Sequence, residues 1–123
     1  MYPLNFFNSH IKQIRREQLS DHQPVIENDV LSWNIMMQCK YTAHGRYNNA
    51  FELEETQAQY QQRLQKIAYM LAHLCIAHPN IQIICLQEAP INPVDIKMFS
   101  ECCQVYPSLQ KFAKSLQDAK AYT

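Results

Sequence analysis

Two strand-like runs separated by one long helix constrain this chain more than any other feature. Residues 30–37, "VLSWNIMM", are apolar and rich in residues suited to a pleated surface. Residues 81–88, "IQIICLQE", have the same character. Between them, residues 55–78 place Tyr60, Leu64, Ile67, Ala68, Leu71, Leu74 and Cys75 at three- and four-residue spacings, the period of an amphipathic helix. The acidic "ELEE" suits its start, and His78 with Pro79 suits its end. A helix of that length spans about 36 Å. Two strands joined by such a helix should run parallel, with a right-handed crossover. Ligands of parallel sheets gather outside the carboxyl ends of the strands. The expected core is therefore an α/β fold, a βαβ unit over residues 29–90.

The flanks divide simply. Residues 1–28 read as a lead-in with a short helix in "NSHIKQIRREQL", capped by Asn8 or Ser9 and broken by "SDHQP". Arg15 and Arg16 suit a solvated face of that helix. Residues 39–54 form a long polar loop that holds the only glycine, Gly45. Loops of that length are often functional. Residues 91–123 predict a helical segment. One helix, "NPVDIKMFSECC", is opened by Asn92 and Pro93. Another has Pro107 near its start and a stripe of Leu109, Phe112, Ala113 and Leu116. In the first strand Leu31, Trp33, Ile35 and Met37 share one face, and Val30, Ser32, Asn34 and Met36 the other. Both faces are largely apolar, which predicts an interior strand covered on both sides.

Composition excludes several functions. Eleven basic and eleven acidic residues cancel, against a mainly electrostatic nucleic-acid or membrane binder. A single glycine cannot build a Rossmann or Walker phosphate loop. The five cysteines, Cys39, Cys75, Cys85, Cys102 and Cys103, are odd in number and include no CxxC. They suit reduced thiols in a soluble intracellular protein, not a disulfide framework. No signal peptide stands out, and no window approaches the ~20 apolar residues of a membrane span. Cys75 and His78 share a helix face, but two ligands do not make a zinc site.

Two polar residues stand out against this background. An amide at Asn34, inside a strand, must find partners for its oxygen and both N–H groups. Either neighbouring backbone satisfies it, or it faces a wet pocket and holds a ligand or a carboxylate. Glu88 ends the apolar run "IICL". Its carboxylate is either solvated or available to a hard cation such as Mg2+.

The motifs "VLSWNIM" and "IICLQEAP", with the helical "YQQRLQKIAYML" between them, resemble the opening of the endonuclease/exonuclease/phosphatase superfamily. That group includes deoxyribonuclease-I-like nucleases, abasic-site endonucleases, deadenylases, inositol polyphosphate phosphatases and sphingomyelinases. "NIMMQCKY" before a long loop is nearer the deadenylase branch. The resemblance covers residues 29–90 and implies the N-terminal part of a four-layered α/β sandwich. It implies that Glu88 binds the catalytic Mg2+ (Mn2+ as substitute) and that Asn34 positions an active-site group or the phosphate. Arg63, Ile67 and Leu71 match positions in the family's first helix. The implied substrate is a phosphate ester, in nucleic acid or in a phosphorylated small molecule or lipid. In the family a catalytic histidine, a "GDxN" segment and a closing "SDH" follow the glutamate. None follows Glu88 here, and His44, His73 and His78 all precede it. The expectation is a chain inactive by itself and without a general base, in need of its C-terminal half, a partner or self-association. The alternative is a non-catalytic interaction protein built on half the fold. A small helical domain with incidental strands is a third reading.

Overall fold

The computed structural model describes residues 22–119. The helix expected near residues 8–19 lies outside them. The described chain is mixed α/β, with a three-stranded sheet and three α-helices. Strands β1 (Val25–Glu27), β2 (Val30–Asn34) and β3 (Ile83–Gln87) lie in the order β1-β2-β3. Helix α1 (Gln57–Ala77) connects β2 to β3. Helix α2 (Pro93–Gln104) follows, then a 3-10 turn (Pro107–Leu109) and helix α3 (Gln110–Ala119).

The βαβ unit forms as the pattern requires. Strands β2 and β3 are parallel, with Leu31 opposite Ile84, Trp33 opposite Leu86 and Asn34 opposite Gln87. Strand β1 was not expected. It pairs antiparallel to β2 through a two-residue turn at Asn28 and Asp29, where Asn28 takes φ +55°. Asparagine tolerates that left-handed conformation, which two-residue hairpins require.

Helix α1 begins two residues later than the acidic run suggests. Thr56 and Gln59 form a capping box: the Thr56 hydroxyl accepts from the Gln59 N–H, and the Gln59 side chain accepts from the Thr56 N–H. Tyr60, Leu64, Ile67, Ala68 and Leu71 are buried along its inner face. They join Leu31, Trp33 and Ile35 of the sheet side and Phe99, Cys103, Leu109 and Ala113 of the C-terminal helices in one core. Asn92 caps α2, accepting from the Val94 N–H at 2.8 Å, and Pro93 sits in its first turn. The Ser100 hydroxyl, fully buried, donates to the Ala113 carbonyl at 2.9 Å and ties α2 to α3.

Two expectations about β2 need correction. Its ladder stops at Asn34, not at residue 37. Met36 adopts φ +63°, which ends the alternation, so Met36 is buried and Met37 is exposed. The strand is also covered on one side only, among the described residues. Leu31 and Trp33 are buried beneath the helices, whereas Val30, Ser32 and Asn34 are half-buried on the other face. Val25, Glu27, Ile83, Cys85 and Gln87 share that open face and are exposed.

The polymer leaving β2 is held by a buried ion pair. Arg63 and Glu55 are almost fully excluded from solvent, with Arg63 Nε 2.8 Å from Glu55 Oε2. The same guanidinium donates to Glu55 Oε1 at 2.8 Å, to the Ile35 carbonyl at 2.6 Å and to the Met37 carbonyl at 3.2 Å. Glu55 also accepts from the Cys39 N–H at 3.1 Å. Glu55 therefore serves the loop rather than the helix N-terminus.

Removing one partner of a buried pair leaves an uncompensated charge. Arg63→Ala is expected to lower unfolding stability by about 3–5 kcal/mol in urea titrations, whereas the exposed Lys97→Ala should change it by under about 0.5 kcal/mol. All five cysteines are free. Burial, and for Cys39 also the neighbouring Glu55 carboxylate, pushes Cys39 and Cys103 up to about 12. Iodoacetamide at pH 8 should therefore label the exposed Cys85 first and spare Cys39 and Cys103 until unfolding. These raised thiols favour the fold below pH 9, and that contribution should be lost between pH 9 and about 12, as the unfolded chain ionises first.

Candidate functional site

The carboxyl ends of β2 and β3 bring Asn34 and Glu88 together. In the register of the sheet Asn34 faces Gln87, one residue before Glu88. Regular alternation would send residue 88 to the helix-covered face. Glu88 instead takes φ +55°, and its carboxylate meets the Asn34 amide. Asn34 Nδ2 donates to Glu88 Oε2 at 2.6 Å. A non-glycine residue in the left-handed region is uncommon, and here one is Glu88 itself and another, Met36, lies two residues after Asn34.

The other end of the amide is also used. Asn34 Oδ1 accepts from the Met36 N–H at 3.0 Å, a side-chain turn that satisfies the backbone where the ladder ends. Both options foreseen for this residue are thus realised at once: backbone satisfaction by its oxygen and a carboxylate held by its nitrogen. An aspartate could accept from Met36 but could not donate to Glu88. Glu88 is exposed, and its second oxygen, Oε1, has no protein donor among the described residues. That oxygen keeps its capacity to accept a further partner at the carboxyl end of the sheet. The donor chemistry fits Mg2+, which commonly takes one or two carboxylates and keeps several waters.

His22 completes the wall. It lines a cleft of about 210 Å3 with Glu88, Met36, Asn48, Asn49 and Phe51. Its backbone carbonyl accepts from Trp33 Nε1 at 2.9 Å, and its ring packs 5.4 Å from Phe51 between centroids. Its Nδ1 lies 3.3 Å from the Asn34 carbonyl oxygen. A carbonyl only accepts, so Nδ1 carries the proton in the neutral ring, and Nε2 keeps its lone pair. A histidine in this tautomer can take a proton from water at Nε2.

The long loop shapes the floor. Asn48 Nδ2 donates to the Gln38 carbonyl and its oxygen accepts from the Lys40 N–H, both at 2.9 Å. Asn49 Oδ1 accepts from the Phe51 and Leu53 N–H groups, each at 3.1 Å. Gly45, at φ +77°, sits in the tight turn between Thr42 and Arg46 that a side chain would strain. No group of three or more potential metal-ligating side chains occurs among the described residues. A single-carboxylate Mg2+ site would not form such a group.

The sequence singled out Asn34 and Glu88, and the fold joins them. It does not single out His22, which precedes Glu88 along the chain and lies in the polar run "SDHQP", whose only mark in the sequence is that it breaks a helix. No protein-family model, no curated protein and no solved structure matches this chain.

Proton placement on His22 can be tested directly. Long-range 15N–1H correlation spectra above the histidine titration range should show the Nδ1-H tautomer for His22. An Nε2-H form would break the assignment of Nε2 as the available base.

Proposed function

We propose that this chain carries the metal-ligand and base side of a Mg2+-dependent phosphoesterase centre related to the endonuclease/exonuclease/phosphatase superfamily. The single observation that carries the reading is the Asn34–Glu88 hydrogen bond at the carboxyl ends of two parallel strands. Glu88 would hold Mg2+ (or Mn2+) through its free oxygen, and Asn34 would orient that carboxylate. Such an ion supplies charge neutralisation on a phosphate ester and a water of lowered pKa. His22 would accept the proton of the attacking water at Nε2, since Nδ1 is engaged by the Asn34 carbonyl.

The family resemblance supports the same roles. That resemblance reaches Asn34 and Glu88 only. The role of His22 rests on its position: the antiparallel pairing of β1 with β2 brings it to the end of β2 that bears Asn34. The substrate class is a phosphodiester or phosphomonoester, in nucleic acid or in a phosphorylated small molecule or lipid. The open face of the sheet is where the second sheet of a four-layered sandwich would pack.

The sequence contains no "GDxN", so donors to the phosphate are missing from the set. Groups that act as a unit fail together, and hydrolysis by these residues alone should be very slow. The sheet face left open among the described residues favours a second reading, a non-catalytic interaction protein on half the fold. Metal binding separates the two. Titration of the intact chain with Mn2+ should selectively broaden the amide signals of Met36 and Glu88, and Glu88→Gln should remove the effect. Absence of any site-selective broadening would sink the phosphoesterase reading and leave the interaction protein.

A further inference from the structure

A second cleft, of about 190 Å3, adjoins the first. Asn48 lines both, and the chain passes from Glu88 in one to Ala89 in the other. Its polar groups are unusual. Asp95 is 6% exposed and Tyr60 is 3% exposed, yet both line this cleft. Aspartate is seldom so buried unless a cation pairs with it. Among the described residues the one ion pair is Arg63–Glu55, and Asp95 has no cation. One of its oxygens, Oδ1, accepts from Gln57 Nε2 at 2.6 Å. Its other oxygen has no donor among the described residues, nor does the Tyr60 hydroxyl have a hydrogen-bond partner there. Helix α2 favours the charge, because Asp95 lies in its first turn. It does not explain why a hydroxyl buried on α1 is also left without a partner.

The remaining capacity of these groups defines a ligand. Asp95 Oδ2 and the Gln57 carbonyl oxygen are acceptors, and the Tyr60 hydroxyl can donate or accept. Met37, Pro90 and Ile91 supply apolar walls, and Lys40 adds a cation. A flat ring with an N–H-rich edge, joined to a phosphate, meets all of these demands. We propose that this cleft is a nucleobase pocket, selective for bases with an exocyclic amino group, next to the Glu88 centre. The inference rests on the phosphoesterase reading and deepens it by naming a nucleotide as the substrate class. A carboxylate accepts from the amino group of cytosine, whereas uracil offers a carbonyl at that position and would face Asp95 with like polarity.

The test uses the intact chain, with binding followed by NMR titration in the presence of Mg2+. Cytidine 5′-monophosphate should bind about tenfold tighter than uridine 5′-monophosphate, the discrimination of one good polar pair. Asp95→Asn should abolish or invert that preference. Tyr60→Phe, which keeps the buried ring, should weaken both nucleotides while leaving the far-ultraviolet spectrum unchanged. Equal binding of the two nucleotides overturns the proposal, as does a preference that survives Asp95→Asn. Displacement by methylammonium as readily as by cytidine would make the cleft an amine site and overturn it too. The underlying reading fails separately: cytidine selectivity with no dependence on Mg2+ or on Glu88 keeps the pocket and removes the metal centre.

Discussion

The guanidinium of Arg63 is the interaction on which the rest of the molecule depends. It stands on α1 and reaches the stretch of chain that leaves β2. Two of its bonds go to the Glu55 carboxylate and two to the carbonyls of Ile35 and Met37. Those carbonyls flank Met36, whose left-handed φ has taken them out of the ladder. Buried backbone carbonyls without donors would cost about 1–3 kcal/mol each. A lysine could not replace this arrangement, because only the planar guanidinium presents several fixed N–H groups at once. The clamp lets the chain turn sharply after Asn34, and that turn frees the Asn34 side chain from the strand pattern.

The site follows from this constraint. Asn34 sits where the ladder ends, so its amide has one backbone N–H to satisfy and one nitrogen to spare. The nitrogen goes to Glu88, which a second left-handed turn has rotated toward it. The carboxylate is thereby oriented without being neutralised, since an amide carries no charge. A lysine or arginine at position 34 would have compensated the charge and weakened any attraction for a cation. The exposed setting of Glu88 contrasts with Glu55, whose charge is buried and paired with Arg63. Two glutamates of one chain thus take a solvent-facing and a structural role, set by what surrounds them.

Much of this was legible in the sequence. The helix pattern of residues 55–78 and the two apolar runs around it require a parallel βαβ unit, because no other element order joins them so economically. Asn92 and Pro93 announced α2 by their capping chemistry. Strand β1 was not legible, because three residues are too few for a periodicity. The one-sided cover of β2 among the described residues was not legible, because Val30 and Met36 look apolar without regard to what packs on them. Met36 is buried through its turn, not through the strand face. His22 was not legible, because order along the chain does not give position in space: only the pairing of β1 with β2 brings it beside Asn34.

The sequence by itself determined the βαβ unit and the C-terminal helices, the parallel direction of β2 and β3, and the two residues at their carboxyl ends. These are local properties: periodicity, caps and crossover length act within a few dozen residues. Only the tertiary structure decided that Asn34 bonds Glu88 across the sheet, that Arg63 clamps the intervening turn, and that His22 joins the same cleft. Each of those contacts joins separate elements and depends on the sheet register and on two backbone turns at positive φ. Such turns by non-glycine residues leave no reliable mark in the sequence. They persist because the surrounding hydrogen bonds over-determine them.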